Sequence, residues 1–366
     1  MLDRLFMSIH TRYIIKNLLS PLLIITLALT FIIWLVRSMR FLELIVNNGL
    51  PFWEFLYLSV LLVPLFLTII LPVALLIAVI QTYSKLSTDR ELVILSAAGM
   101  NSVGLATPAI ILAIIVTLFL QFLTIYVTPK AYEEFRNKQL DFKNNSSLLL
   151  LQDGVFNTPL KGLTFYIDSH DVNGNLYGIL VHDRNRKNPV TLIAKEGKLS
   201  QTNSGIILDV MGGRQETEKE DGTADILFFD SYSMNMSTYK EDKGIRVKGP
   251  EEKTLGELFE SDSKKDQKTI RDEITEAHYR ITWPMLSLTF TFLALIPFLT
   301  TYFRRSGNGR HIIIISCLSV LIVSSSLIIK YLSTSNASLV FLMYLNVLFP
   351  ILIAFYIFKK NDTILS

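Results

Sequence analysis

The 366-residue sequence has a single cysteine, Cys317, so no intrachain disulfide can form and any inserted domain must hold together by its own core. Its position inside an apolar run suits a small hydrophobe packed between helices. Charged residues are scarce at 18%, half of all residues are hydrophobic, and the mean hydropathy is positive. That is the composition of a chain whose main solvent is lipid. A net charge of +3 gives no reason to expect a nucleic-acid partner. Catalytic signatures are missing as well. There is no G-x-x-x-x-G-K-[ST] stretch, so the chain is not a P-loop ATPase by itself, and no G-x-S-x-G elbow or H-E-x-x-H. His10, His170, His182, His278 and His311 show no metal-ligand spacing, so no metal or other cofactor is implied.

What the sequence does have is long apolar runs. An unpaired backbone polar group in hydrocarbon costs several kcal/mol, so each run of roughly twenty residues must be a helix. Six are predicted: Asn17 to Val36, Phe55 to Ser84, a third ending at Pro129, Ile281 to Phe303, Ile312 to Ile329, and Ala337 to Phe358. The first is too long for a signal h-region and is followed by Arg37 and Arg40, which predicts an uncleaved span. The second contains Pro64 and Pro72 and is predicted to tilt or kink. As drawn, the spans contain no acidic residue, which argues against a proton- or sodium-coupled carrier. Lys and Arg in short loops set orientation. With the N-terminus inside, the inner side collects Arg4, Arg12, Lys16, Lys85, Arg90, Arg304, Arg305, Arg310, Lys359 and Lys360, against Arg37, Arg40 and Lys330 outside. Both termini are therefore expected in the cytoplasm, with residues 130 to 278 outside.

From Leu148 the pattern changes to short β-prone stretches: Leu163 to Ile167, Leu176 to His182, Val190 to Ala194, Gly205 to Val210 and Asp225 to Tyr232. Asn173-Gly174-Asn175, Gly212-Gly213 and Glu220-Asp221-Gly222 supply turn chemistry between them. The predicted fold is thus an α-helical integral membrane protein of six transmembrane helices with an inserted all-β, jelly-roll-like domain. Its open sheet edges could accept a partner strand or be protected by the flanking charges. The expected division is a transmembrane part at 1–129, the β-domain at 130–253, a charged connecting helix at 254–278, and a second transmembrane part at 279–366.

Two features could carry transport. Between spans two and three, a short helix is expected at about 87–99, capped by Ser87 or Thr88 and ended by Gly99. It would place Asp89, Arg90 and Glu91 beside a small apolar face of Leu92, Leu95 and Ala98. Such a helix can seat in the groove of a soluble motor or lie at the lipid surface. Near the outer ends of the spans, Arg37, Arg40, Lys130, Arg136, Arg280 and Lys330 could hold the phosphates of an anionic lipid or snorkel to headgroups.

Several segments resemble the lipopolysaccharide-export permease family LptF/LptG (YjgP/YjgQ). They are Arg12-Tyr13-Ile14, Gly49-Leu50-Pro51, Leu71-Pro72, the run Ser87-x-Asp89-x-Glu91-Leu92-Val93 to Ala97-Ala98-Gly99, Glu276-x-x-x-Arg280-x-x-x-Pro284, and Arg304-Arg305-x-Gly307-x-Gly309-Arg310. The Gly49-Leu50-Pro51 and Leu71 to Leu76 segments look more like the LptF branch. The resemblance covers nearly the whole chain in the family's order of three spans, a periplasmic β-domain and three spans. It implies a non-enzymatic half-transporter in the inner membrane of a Gram-negative bacterium. Its implied partners are an LptG-like homologous permease, a dimer of an LptB-like cytoplasmic ATPase, an LptC-like bridge protein and lipopolysaccharide itself. Glu91 would correspond to the glutamate of the coupling helix that docks on the ATPase, and spans one and five would form lateral gates with the partner. The basic residues match no family motif residue by residue. Competing expectations are a permease of the lipoprotein-release type, which typically has four spans, and a membrane-anchored scaffold or receptor.

Overall fold

The computed structural model describes residues 9–48, 52–146, 153–160, 162–171, 174–185, 188–202, 205–219, 223–236, 248–260, 266–300 and 309–365. Gly49-Leu50-Pro51, Leu148, Asn173, Glu220-Asp221-Gly222, Phe303, Arg304, Arg305 and Gly307 lie outside the described residues, as does the side chain of Arg40. The chain divides into two compact units. One comprises residues 1–39, 56–135 and 248–366, and the other residues 40–55 and 136–247.

Among the described residues, six helices, lying wholly or mostly in the first unit, are long and apolar enough to cross a membrane: Ile9–Met39, Val63–Thr88, Ser102–Leu140, Gln267–Thr300, Gly309–Ser335 and Ala337–Lys360. They belong to α1 (Ile9–Asn48), α3 (Val63–Thr88), α5 (Ser102–Phe122) with α6 (Thr128–Ser146), α8 (Gln267–Thr300), α9 (Gly309–Ser335) and α10 (Val340–Leu365). The expected second span is two helices. α2 (Phe52–Leu61) stops at Leu62 and α3 begins with Pro64 in its first turn, where a missing N–H costs nothing. Pro72 remains inside α3 without ending it.

α8 is the hub and packs against α3, α5, α9 and α10. Small residues let the helices approach closely: Ala74 and Ala78 on α3, Ala106, Ala109 and Ala113 on α5, and Ala277 and Ala294 on α8 are fully buried. Side-chain to backbone bonds pin the contacts. Tyr83 Oη donates to the Leu105 carbonyl at 2.7 Å, Trp283 Nε1 to Thr68 at 2.9 Å, and Thr289 Oγ1 to Val347 at 3.0 Å. α9 and α10 are further joined by Asn346, whose amide donates to Ser326 Oγ at 2.7 Å and accepts from Ser325 Oγ at 2.9 Å. Burial is uneven. Only 11% of the apolar window of the first span and 17% of that of the fifth are buried, against 61% and 67% for the second and fourth. Cys317 is exposed on α9, where the sequence had suggested a packed position.

After a 3-10 turn (Pro250–Glu252), the region 254–278, expected to be one connecting helix, holds α7 (Leu255–Phe259) and then the start of α8. Thr254 caps α7 in a reciprocal box with Glu257. α8 runs unbroken from Gln267, so Glu273 and Glu276 belong to a span-length helix that the sequence had drawn as starting at Ile281 and free of acids.

In the second unit, β1 (Asn157–Leu160), β2 (Leu163–Tyr166), β3 (Ser169–His170), β4 (Asn175–Asp183), β5 (Val190–Thr202), β6 (Gly205–Glu218) and β7 (Ala224–Asn235) form one antiparallel sheet, ordered β1-β2-β4-β5-β6-β7 with β3 paired to β4. The antiparallel β character follows the sequence. The topology is a meander, and among the described residues no strand makes the crossover that the Greek keys of a jelly roll require.

Gly212-Gly213, expected as a turn, lies inside β6, and the reason is geometric. Along one line across the sheet, Gly178, Lys195, Gly212 and Asp230 drop out of the otherwise regular pairing. Gly178 (φ +63°) and Gly212 (φ +60°) adopt the left-handed conformation there. Inward-facing residues, two apart elsewhere, are three apart across this line: Leu176 to Ile179, Ala194 to Gly197, Val210 to Gly213, and Phe229 to Tyr232. The sheet is thereby creased, and both halves turn their apolar side inward onto a core of Leu163, Phe165, Val181, Leu192, Leu208 and Met234.

Candidate functional sites at the two ends of α3

At the Thr88 end of α3, the chain turns sharply into α4 (Glu91–Ala97). Neither Ser87 nor Thr88 caps α4. α3 continues through Thr88, whose Oγ1 donates back to the Ser84 carbonyl at 2.9 Å, and Asp89 closes that helix. Arg90 makes the turn at φ 60°, the one described non-glycine residue with positive φ, and offers no side-chain cap. The far end of α4 is as expected. Gly99 (φ +90°) and Met100 donate to the carbonyls of Ser96 and Leu95, a Schellman closure. Leu92 is buried and anchors α4 to the bundle, while Leu95 is half-buried. Ala98, Gly99, Asp89 and Arg90 are exposed together with Ile94, an apolar side chain that the sequence did not single out.

Glu91 is half-buried, and its Oε1 accepts a 3.2 Å hydrogen bond from Tyr13 Oη of α1. Both residues line a recess of about 460 Å³ shared with Asn17, Ser20, Gln81 and Lys85. Thr82 Oγ1 of α3 donates to the Asn17 carbonyl at 3.2 Å, so α1 is tied to α3 as well as to α4.

At the opposite end of α3, the expected basic cluster divides. Arg280 is 5% exposed and fully engaged: Nε donates to Glu276 Oε1 at 3.0 Å, and its terminal nitrogens donate to the carbonyls of Lys253 at 2.7 Å and Pro250 at 2.8 Å. Lys330 of α9 reaches Glu276 Oε2 at 2.8 Å and lies 3.9 Å from the centroid of the Tyr279 ring. Lys253 pairs with the buried Glu273. Around Lys330 a recess of about 240 Å³ is lined by Thr68, Tyr132, Glu251, Tyr279 and Trp283. A π-helical turn at Leu123–Val127 borders it and brings Thr124 Oγ1 to 3.2 Å from the Arg280 carbonyl. Of the other cations, Arg37 and Lys130 are exposed. Arg136 belongs to the unit that holds the sheet and donates to Gln139 at 2.8 Å. The i, i+4 spacing of Glu276 and Arg280 was the available signal that this arginine is already paired.

Nearby, Glu133 accepts from Lys248 and thereby holds the ammonium pKa above its ordinary value. The Thr254 backbone N–H, donating to Glu257, holds that carboxyl below its ordinary value. Among the described residues no group of His, Cys, Asp or Glu side chains could hold a metal.

Six span-length helices among the described residues, with an antiparallel sheet inserted in sequence between the third and fourth, define a polytopic membrane protein. The model of the lipopolysaccharide export system permeases LptF/LptG matches residues 12–360, and the chain belongs to that family. It is 28% identical to an uncharacterized protein of Rickettsia prowazekii (strain Madrid E) over 356 residues, covering 96% of this chain and 98% of the relative. It is 24% identical to the lipopolysaccharide export system permease protein LptF of Escherichia coli (strain K12) over 197 residues, which is 53% of this chain and 54% of that relative.

Proposed function

We propose that the chain is a non-catalytic permease subunit of an ATP-driven transporter that lifts lipopolysaccharide out of the inner membrane and passes it to a bridge toward the outer membrane. The family match over 12–360 carries this reading. Its partners are an LptG-like homologous permease, an LptB-like ATPase dimer and an LptC-like bridge protein. The excess of Lys and Arg in one set of short loops supports cytoplasmic termini and a periplasmic sheet domain. That domain, a creased antiparallel meander, accepts the lipid, and its β7 edge with exposed Ile226, Leu227 and Phe228 offers backbone groups to the bridge.

α4 is the coupling helix, with Glu91 facing the ATPase, Ile94 and Ala98 completing the contact, and Leu92 rooting it in the bundle. The low burial of the first and fifth spans supports their role as gate faces toward the homologous subunit. At the periplasmic end of the helical unit, Lys330, Arg37 and Lys130 meet lipid phosphates, a role proposed also for Arg40 and Arg136 of the unit that holds the sheet. Arg280, already engaged, holds the frame that positions Glu276 and Lys330.

Co-expression with candidate ATPase and permease partners, followed by reconstitution into lipopolysaccharide-loaded vesicles, tests the proposal. ATP-dependent lipid release is expected. A purified complex that contains no ATPase, or one that hydrolyses ATP without releasing lipid, would remove it.

A further inference from the structure

We infer that Tyr13 is a positioning residue for transport: its phenol ties the first span to Glu91, so that displacement of α4 moves α1. This rests on the reading above and adds a route by which the push travels.

Among the described residues, the buried side chains of α1 gather toward its start: Thr11, Ile14, Leu18, Leu22 and Thr26 are buried, whereas Leu23, Ile24, Leu27, Phe31, Ile32 and Leu35 are exposed, and past Thr26 only Ser38 is buried again. The polar ties sit in the same first turns, namely Tyr13 Oη to Glu91 and Asn17 O to Thr82. The helix is therefore held mainly through its first half, and at 1.5 Å rise per residue a small rotation there becomes a larger displacement toward the Met39 end, where Ser38 is the one buried contact among the described side chains.

α4 has the complementary property. Arg90 turns the chain without a capping side chain, so local backbone structure does not fix the Glu91 carboxylate. What fixes it is Tyr13 on one oxygen, and a carboxylate retains acceptor capacity for a second donor from the motor. Leu92 transmits motion into the bundle, whereas Tyr13 transmits it to α1. Glu91 thus joins two moving parts through a single side chain.

The test uses the full complex in vesicles loaded with lipopolysaccharide, comparing wild type with Tyr13→Phe, which keeps the ring and removes the donor. The ATPase should co-purify and hydrolyse ATP as before, while lipid released per ATP falls about five-fold, the equivalent of one net hydrogen bond. Amide hydrogen exchange over residues 10–18 should rise in the variant, with exchange over α3 and α5 unchanged. A wild-type ratio of lipid to ATP in Tyr13→Phe would overturn the inference. If the wild-type complex does not transport, the transport reading fails instead, and exchange alone then judges the tie: unchanged protection of residues 10–18 overturns it.

Discussion

The two ends of α3 are built on opposite plans. At one, Arg280 is buried and makes three charge-assisted bonds, and Glu276 is shared between Arg280 and Lys330. At the other, α4 hangs from one buried leucine, a left-handed arginine and a single phenol-carboxylate bond. A fully satisfied buried network is rigid because any departure strands a charge in low dielectric. A short, half-buried helix with one polar side-chain tie moves at lower cost. The first end is suited to hold a frame, and the second to receive a push.

Breaking the rigid end should have the largest effect. Arg280→Ala strands Glu276 beside one remaining cation and is expected to cost about 3–5 kcal/mol, seen as loss of folded protein in detergent melting. At the mobile end, Glu91→Lys should leave insertion and melting unchanged yet uncouple lipid release, measured in reconstituted vesicles. Undiminished release with the ATPase retained would erase the contrast. Gly99→Ala probes the end of α4 alone. It meets open space, so the expected cost of about 1 kcal/mol is purely the left-handed backbone, read as a small drop in melting temperature.

The smallest effect is expected from acidification. Glu257 has a lowered pKa in the folded chain, so the stability it gives α7 is present above the ordinary carboxylate range. That stability is lost as pH falls through the folded value. Hydrogen exchange in residues 255–259 should rise only at acid pH, and Thr254→Ala should produce the same loosening at neutral pH.

The six spans were legible because hydrocarbon admits few backbone solutions, and the Schellman end of α4 because Gly99 is the residue that conformation favours. The start of α4 was not legible. Ser87 and Thr88 are good caps, but packing of α3 carried its helix one turn further and left the turn to Arg90. Cations near span ends look alike in sequence, and only tertiary contact separates the engaged Arg280 from exposed Arg37 and Lys130. Tyr13 and Glu91 are 78 positions apart, so their bond had no local signature. Gly212-Gly213 misled for a related reason: glycine pairs mark hairpins and bends alike, and only the neighbouring strands show which.

The crease in the sheet also limits how this domain can change. Because β4, β5, β6 and β7 all switch their inward side on one shared line, none of them can lose a residue there independently. Deleting Gly212 would turn half of β6 inside out, setting greasy side chains in water and polar ones in the core while its neighbours kept their places. Length variation in this domain is therefore confined to the hairpin tips, and the bend can be inherited only as a whole.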